Sequence, residues 1–356
     1  MGVLTRYIVK EVVKGSSIAL LLLLTLYNLF TFSDQLQELG KGSYGLPQIL
    51  QYLALTSPRV FYELMPSAAL LGSLFVVGAM ANNREIVAMR AIGLSTFWII
   101  RTIMLAGLVL VIISVLVGEL IAPGCEREAQ ILKTTAQNNN EIMLRSQYGM
   151  WLREGNRFIN VRKLLDDGSL NDVRIYEIND QHQLTDMTHA EHAQFLGKNQ
   201  WRLQNVQHSQ IGNRQVFANN VTEQAWQSTI DSDLLKVTVV NSDNLSIYDL
   251  LMYIDFLKDN NQKSQSYELA FWSRLVNPFV TFVMLMVSAP FVIGIGRGTS
   301  TGARIMIGVL IGMTFNIFDK IAGHVGLVYD FNPIVMAVLP SSLMFLAAVY
   351  AVRRQT

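Results

Sequence analysis

The segment whose residue types best suit specific chemistry is residues 82–95, a short charged stretch between two long apolar ones. Asn83 is a favourable N-cap and predicts the start of a short helix. Glu85 would then lie in the first turn, where the positive end of the helix dipole stabilises an acid. Gly93 predicts the end of this helix, and Ser95 predicts the N-cap of the next one.

This short helix has the properties of a docking element. Glu85, Met89 and Ile92 recur at intervals of three or four residues, so we expect them on one face. An acid and apolar side chains held between two membrane anchors suit docking into a groove of a soluble partner. An amphipathic turn that lies on lipid headgroups fits the same spacing. The candidate contact residues are Arg84, Glu85, Met89, Arg90 and Ile92.

Two other segments resemble reactive sites, but each lacks a necessary part. Residues 294–302 are glycine-rich without the Gly-Lys-Ser/Thr ending of a phosphate-binding loop, so they predict a flexible cytosolic turn. His189 and His192 are metal-ligand types, but in a strand region their side chains point in opposite directions. The sequence therefore predicts a non-catalytic chain without cofactor or metal, which must obtain any energy from another protein.

The composition indicates an integral membrane protein with a sizeable polar insertion. Of 356 residues, 51% are hydrophobic and only 15% are charged, whereas soluble domains are nearer a quarter charged. The net charge of +1 gives no indication of a nucleic-acid partner, and the single Cys125 excludes an internal disulfide. The N-terminal apolar run lacks a cleavage site, so we interpret it as a retained first membrane helix.

Apolar stretches of spanning length predict six membrane helices, three on each side of the polar region. They are residues 15–33, 64–83, 98–122, 271–296, 305–324 and 333–352. The predicted fold class is an α-helical membrane protein with an inserted β-jellyroll-like domain. Its predicted parts are residues 1–122 with a cytosolic helix at 83–94, residues 123–268 with the β domain at 148–240, and residues 269–356.

The orientation follows from basic residues in short loops, which favour the cytoplasmic side. With six spans, four basic groups fall on one side, so both termini are predicted inside and the polar region outside. These groups are Arg6, Lys10 and Lys14; Arg84 and Arg90; Arg297 and Arg304; and Arg353 and Arg354.

The external region has the pattern of an antiparallel β domain. Short runs such as residues 157–161, 173–178 and 200–206 alternate apolar and polar residues, and turn residues separate them. The pattern predicts a β-sandwich or an open β-roll, whose edges could pair with another β protein. Residues 125–145 and 246–268 are predicted helical connectors.

Several charged residues are expected near the outer headgroup level. They allow two interpretations, ordinary interfacial anchoring or a ring of cations at the mouth of a cavity that accepts phosphorylated lipid headgroups. These headgroup candidates are Lys41, Arg59, Glu63, Arg127 and Lys133.

The chain resembles a known family over essentially its whole length. The resemblance is carried by Gly2-Val3-Leu4-Thr5-Arg6-Tyr7-Ile8, Asp34-Gln35-Leu36 with Gly42-Ser43-Tyr44, Pro66-Ser67-Ala68-Ala69-Leu70-Leu71-Gly72, Arg84-Glu85 with Met89 and Gly93, Gly118-Glu119 with Ala122-Pro123, and Phe271-Trp272-Ser273-Arg274. In this order they resemble the YjgP/YjgQ family of lipopolysaccharide-export permeases, also called LptF/LptG. The second group favours the LptG type over its sister LptF.

The resemblance implies a permease half of an ABC transporter in the inner membrane of a Gram-negative bacterium. It would pair with an LptF-type permease, above an LptB-type ATPase dimer that binds ATP. Its jellyroll would join those of LptC and LptA in a periplasmic bridge, onto which lipopolysaccharide is moved from the outer leaflet. The segment at 83–94 would be the coupling helix, with Glu85 facing the ATPase. One departure is Gln37 and Glu38, where family members often have lysines, so the cationic site is expected elsewhere.

Three alternatives stay open at this point. The chain could be the sister LptF-type subunit, or a non-transporting membrane scaffold that recruits periplasmic proteins. A permease of the lipoprotein-release type fits less well, because such proteins place the external domain after the first of four spans.

Overall fold

A computed structural model describes residues 2–137, 142–143, 149–165, 168–179, 181, 183–197, 199–212, 215–230, 234–235, 240–293 and 301–354. The chain forms two compact units. We call Met1–Ser33, Thr56–Gly124 and Gln265–Thr356 the membrane unit, and Asp34–Leu55 with Cys125–Ser264 the β unit.

The helices that position the candidate residues follow the predicted order. They are α1 (Val3–Leu36), α2 (Leu46–Asn82), α3 (Glu85–Ala91), α4 (Thr96–Leu116), α5 (Ala122–Gln137), α6 (Ile247–Asp259), α7 (Gln265–Ile293), α8 (Thr301–Val328) and α9 (Pro333–Arg353). Among the described residues, six helical stretches are long and apolar enough to cross a membrane: α1, α2, α4 with α5, α7, α8 and α9. Each overlaps one predicted span.

The second helix is much longer than its predicted span. It begins at Leu46 and continues through Pro58 and Pro66, although proline usually interrupts a helix. The first part of α2 was not predicted, because its polar residues lower the hydropathy below that of a membrane span. In the structure, Ile49 and Val60 in this part are fully buried. Burial of one face therefore stabilises a helix that hydropathy alone does not reveal.

The membrane unit is held together by apolar packing and by close helix contact. One cluster joins α1, α2, α3, α4 and α7 through residues such as Val12, Met80, Met89, Ile103 and Leu285. At Gly15 and Gly72, α1 and α2 approach so closely that a Cβ on Gly72 would overlap the Ser16 backbone. Small residues at such crossings allow tight packing of membrane helices.

The β unit contains one continuous antiparallel sheet. Its strands are β1 (Ile142–Met143), β2 (Met150–Glu154), β3 (Arg157–Leu164), β4 (Leu170–Ile178), β5 (Leu184–Gly197), β6 (Gln200–Ile211) and β7 (Val216–Gln227). Neighbours in the sheet run β1-β3-β4-β5-β6-β7, and β2 also pairs with β3. Of the two predicted layouts, one sheet with open edges corresponds to the β-roll, as far as the described residues extend.

One face of the sheet is buried. Trp201 is fully buried, and its Nε1 donates a hydrogen bond to the Ile230 carbonyl at 2.8 Å. Ile159, Val173 and Leu203 also lie on this face, and each is no more than 1% exposed. The alternation seen in the sequence is thus the alternation between the two faces of the sheet.

The two connectors were predicted with different success. The connector predicted as helical over 125–145 is a helix up to Gln137, where α5 ends. The prediction is wrong at 142–143, because Ile142 and Met143 form β1 and pair with β3. The connector at 246–268 was predicted as one helix, and this is wrong. The helix α6 ends at Asp259, and Asn261 takes a left-handed conformation (φ 51°) before α7 begins at Gln265.

Candidate functional site

The predicted short helix exists as α3, but it begins differently from the prediction. The N-cap is Arg84 in a left-handed conformation (φ 60°), without a side-chain cap, so the prediction of Asn83 as N-cap is wrong. The reason is that the Asn83 amide still donates to the Ala79 carbonyl at 2.9 Å, as part of the last turn of α2. A sharp turn at Arg84 therefore separates the two helices.

The end of α3 follows the prediction. Gly93 has φ 92°, its amide donates to the Arg90 carbonyl, and the Leu94 amide donates to the Met89 carbonyl. These two bonds form a Schellman motif, which glycine permits because it tolerates positive φ. Ser95 then caps α4 by accepting from the Trp98 amide at 3.2 Å. Both ends of α3 are thus tightly defined.

The two faces of α3 differ from the predicted arrangement. Met89 and Ile86 are each only 6% exposed and belong to the apolar cluster of the membrane unit, whereas Ile92 is 70% exposed and Val87 62%. The prediction that Met89 shares an exposed face with Ile92 is therefore wrong. Met89 anchors the helix, and Ile92 and Val87 form the free apolar surface. Arg84 and Arg90 are exposed beside them.

The Glu85 carboxylate is held in place by neutral donors. The Tyr7 hydroxyl of α1 donates to Glu85 Oε2 at 3.0 Å, and Asn83 Nδ2 donates to Oε1 at 3.4 Å. Neutral donors orient the acid but leave its charge available to a cation from outside. Tyr7 was not among the predicted site residues, although it lies in the N-terminal family piece.

The family piece Gly42-Ser43-Tyr44 has a structural role within the β unit. A Cβ on Gly42 would lie 2.7 Å from the Gln137 carbonyl, so only glycine fits there. The Ser43 amide and hydroxyl both donate to the Ala136 carbonyl, at 2.7 and 3.1 Å. Tyr44 is 1% exposed, and burial raises its pKa to about 12. The piece therefore joins the loop after α1 to the end of α5.

Among the headgroup candidates, Lys41 and Lys133 both lie near one acid. Lys41 Nζ lies 2.7 Å from Glu38 Oε2, and this hydrogen bond lowers the pKa of Glu38, with a further contribution from Lys133. Lys133 Nζ also lies 5.5 Å from the centre of the Tyr52 ring. Glu38 is one of the residues that depart from the family pattern, and here it offsets part of the local positive charge.

The remaining headgroup candidates are also paired. Arg127 lies 3.6 Å from Asp249 in the β unit, and Arg59 lies 2.7 Å from Glu63 one helical turn away in α2. The candidates therefore divide between units, with Lys41, Lys133 and Arg127 in the β unit and Arg59 and Glu63 in the membrane unit. Lys41, Arg59 and Arg127 therefore each lie beside a carboxylate of their own unit.

A buried ion pair outside the predicted site residues joins the turn between α4 and α5 to α7. Arg274 is 8% exposed and donates to the Glu119 carboxylate and to the Gly118 carbonyl, within a π-helical turn at Val117–Ile121. The Tyr62 ring lies 5.3 Å below the guanidinium, and its hydroxyl donates to the Arg274 carbonyl. The sequence contained a signal for this pair, because Glu119 lies near the end of the third predicted span and Arg274 near the start of the fourth.

Two further predictions concern the glycine-rich segment and the two histidines of β5. The glycine-rich turn at 294–302 falls largely outside the described residues, which resume at 301. The prediction that His189 and His192 point in opposite directions is wrong, because the buried residues Ala190 and Ala193 are spaced by three and leave both histidines on the outer face. His189 Nε2 lies 2.9 Å from Asp172, and His192 Nδ1 lies 2.7 Å from Asn171, so the two histidines contact separate partners.

In the part of the chain that the structure describes, six helical stretches of spanning length are interrupted by a β insertion after the third, and a short anchored helix lies between the second and third. This is the architecture of a polytopic membrane protein. The chain belongs to the lipopolysaccharide export system permease LptF/LptG family, whose model matches residues 6–354. This membership confirms the predicted family and fold class.

Curated relatives agree with the LptG type. The chain is 31% identical to the lipopolysaccharide export system permease protein LptG of Escherichia coli (strain K12) over 357 residues, which cover 100% of this chain and 99% of the relative. It is 31% identical to LptG of Haemophilus influenzae over 351 residues, with 98% of each chain covered. The permease function is therefore supported over the sister-subunit and scaffold alternatives.

Proposed function

We propose that this chain is the LptG-type half of a transporter that takes lipopolysaccharide from the outer leaflet of the inner membrane and passes it to a periplasmic bridge of β-jellyrolls. Its partners are an LptF-type permease, an LptB-type ATPase dimer that binds the ATP, and LptC- and LptA-type proteins. Sequence identity of 31% to LptG permeases over essentially the full length of the chain supports this assignment. The chain itself contributes no catalysis.

The observation that carries the mechanism is the two-sided structure of α3. One side is fixed in the helix bundle by Ile86 and Met89, and the other presents Val87 and Ile92 to solvent. A partner that covers Ile92 gains apolar burial without ordering a flexible loop, because the turn at Arg84 and the Schellman motif at Gly93 already fix both ends of α3. We therefore assign the ATPase contact to Arg84, Glu85, Arg90 and Ile92, with Met89 as the anchor behind them.

The orientation proposed for the chain puts α3 in the cytoplasm. Arg84 and Arg90 share a side with the basic N-terminal residues Arg6, Lys10 and Lys14 when the six helices alternate in direction. Both termini then lie in the cytoplasm and the β unit lies in the periplasm. This is the side on which an ATP-hydrolysing partner would be found.

The test is a pair of substitutions on α3 in the assembled transporter. Ile92→Asp puts a charge into the proposed apolar contact, and Glu85→Ala removes the proposed partner of an ATPase cation. If that cation is buried by docking, loss of Glu85 costs about 3–5 kcal/mol of association. We expect both variants to weaken ATPase copurification or to uncouple ATP hydrolysis from lipopolysaccharide release in reconstituted vesicles.

The matched control is Glu223→Ala, which removes an exposed carboxylate from β7 in the β unit. It should assemble and transport like the wild type. Normal lipopolysaccharide release by both α3 variants would contradict the proposed coupling role. Nucleotide-independent labelling around α3 in active vesicles would point to a passive scaffold instead.

A further inference from the structure

The outer face of the β-sheet, opposite its apolar core, carries a row of polar and aromatic side chains. By strand register, Trp151 lies opposite Asn160, Asn160 lies opposite Arg174, and Arg174 lies opposite His189. Asn160 is only 2% exposed, and its Nδ2 donates to the Met150 carbonyl, so the accessible members of the row are Trp151, Arg174 and His189. The rows on the other face contain buried residues such as Val161 and Val173. The row from β2 to β5 is therefore on the side of the sheet that faces away from its apolar core.

An aromatic platform occupies one end of this face. Trp151 is 57% exposed, and its ring stacks on Tyr176 with centroids 5.6 Å apart and an interplanar angle of 26°. Phe158 pairs with Tyr176 across the strands and carries the Arg153 guanidinium 5.3 Å from its ring centre. A tryptophan held flat and exposed by a second ring is available for stacking against a ligand.

A cavity of about 430 Å³ is lined by residues of the same face, including Arg174, which lies two residues before Tyr176 on β4. This volume is within the range of small-ligand sites, roughly 300–1,000 Å³. Three permanently cationic side chains face two carboxylates there, so the lining is cationic on balance. The lining includes Arg162, Lys163, Arg174, His189, Asp172 and Glu191.

Asp172 holds the cationic side chains in fixed positions. Its carboxylate lies 3.2 Å from Arg162 Nη1, 3.2 Å from Arg174 Nε and 2.9 Å from His189 Nε2. A guanidinium has five N–H donors, and this arrangement uses one nitrogen of each arginine. Asp172 therefore orients both arginines without using all their capacity for anionic oxygens.

The strands are irregular at this cavity, which places extra polar residues on the outer face. Along four neighbouring strands, buried residues are spaced by three instead of two, so two outward residues fall between them. Asp172 and Asn205, at this level, take left-handed conformations with φ 54° and 52°. The buried pairs are Val161 and Leu164, Leu170 and Val173, Ala190 and Ala193, and Leu203 and Val206.

We propose that this surface, which we call the outer patch (Trp151, Tyr176, Arg162, Arg174 and His189), binds a phosphorylated saccharide. The apolar C–H face of a sugar ring stacks on an exposed indole, and phosphate oxygens accept paired hydrogen bonds from guanidinium groups. Neither half of the patch alone selects such a ligand, but their adjacency does. The identity of the saccharide rests on the proposed function, which makes it the saccharide part of lipopolysaccharide.

The test is a calorimetric titration of the full chain in detergent micelles. The probes are lipopolysaccharide from which all acyl chains have been removed, the same material after dephosphorylation, and inorganic phosphate. We expect the phosphorylated saccharide to bind most tightly. Trp151→Ala should weaken it about fivefold through loss of stacking, and Arg174→Gln about tenfold through loss of a charged donor.

Matched controls lie on other strands of the same sheet. Phe217→Ala removes a 64% exposed aromatic ring from β7, and Arg202→Gln removes an exposed guanidinium from β6. Both should bind like the wild type. Equal affinity of Trp151→Ala and the wild type, or equal affinity for inorganic phosphate and the phosphorylated saccharide, would overturn the proposal.

Failure of this proposal is distinguishable from failure of the proposed function. If wild-type transporter in vesicles releases lipopolysaccharide but the full chain does not bind the deacylated saccharide, the outer patch is wrong and the export function stands. If the saccharide binds with the expected loss in Trp151→Ala but no release occurs, the outer patch stands and the export function is wrong.

Discussion

Replacing Gly72 by alanine tests the close crossing of α1 and α2. A Cβ at this position would overlap the backbone N and Cα of Ser16 and lie 2.6 Å from the Gly15 carbonyl carbon, whereas ordinary contact begins near 3.4 Å. Backbone atoms cannot rotate away as a side chain can, so α1 would have to move by about 1 Å. Overpacking of this kind costs about 1–3 kcal/mol.

The control for this substitution is Gly312→Ala in α8. There the new Cβ would meet nothing closer than Ser67 Oγ at 3.8 Å, an ordinary contact. Alanine favours a helix interior over glycine by about 1 kcal/mol in both places, so comparing the two variants removes that shared effect. Unfolding by SDS titration in mixed micelles should show Gly72→Ala less stable than Gly312→Ala by about 1–3 kcal/mol.

Two results would refute the reasoning about this crossing. One is equal stability of the two alanine variants. The other is full rescue of Gly72→Ala by Ser16→Gly, because the overlap involves the backbone of Ser16, which that change leaves in place.

Three further predictions concern single contacts. Arg274→Met should destabilise the membrane unit by about 3–5 kcal/mol because it removes the guanidinium from the buried Glu119 pair, and adding Glu119→Gln should recover part of the loss in SDS titration. Burial raises the pKa of Tyr44 from 10.0 to about 12, so its contribution is complete below pH 10 and lost by pH 12; wild-type stability should fall about 2–3 kcal/mol more than that of Tyr44→Phe over this interval. Met89→Ala should lower stability by about 2–5 kcal/mol, whereas Ile92→Ala, at an exposed position, should change it by less than about 0.5 kcal/mol in thermal unfolding.

The elements that sequence reasoning found are those whose formation depends on local composition. Apolar stretches of about 20 residues must form helices in a membrane, because the backbone has no other partners there. The ends of α3 at Gly93 and Ser95 were predictable for the same reason, since positive φ and an N-cap hydroxyl are properties of single residues. The first part of α2 escaped prediction because its stability comes from burial in the folded unit.

The arrangement of charges was less predictable, because it depends on which residues meet in space. Lys41 and Arg127 were predicted as outer-side cations from their positions in the sequence, but their pairing with Glu38 and Asp249 requires the fold. Asn83 has the better N-cap chemistry, yet Arg84 holds the position because the preceding helix uses the Asn83 amide. Met89 was expected on an exposed face because of its spacing from Glu85 and Ile92. Spacing along a helix shows which residues share a direction, but it does not show which direction faces the rest of the protein.

The anchoring of α3 has a mechanical consequence. Because Ile86 and Met89 pack with residues of α1, α2 and α4, and because a turn at Arg84 and a capped turn at Gly93 hold its two ends, α3 has little freedom to move by itself. A displacement applied to Ile92 would pass into the bundle as a whole instead of being absorbed by bending of a loop. We therefore expect α3 to move together with the helices of the membrane unit as one rigid body. Loss of the Met89 packing should weaken this mechanical coupling even where the exposed surface of α3 is unchanged.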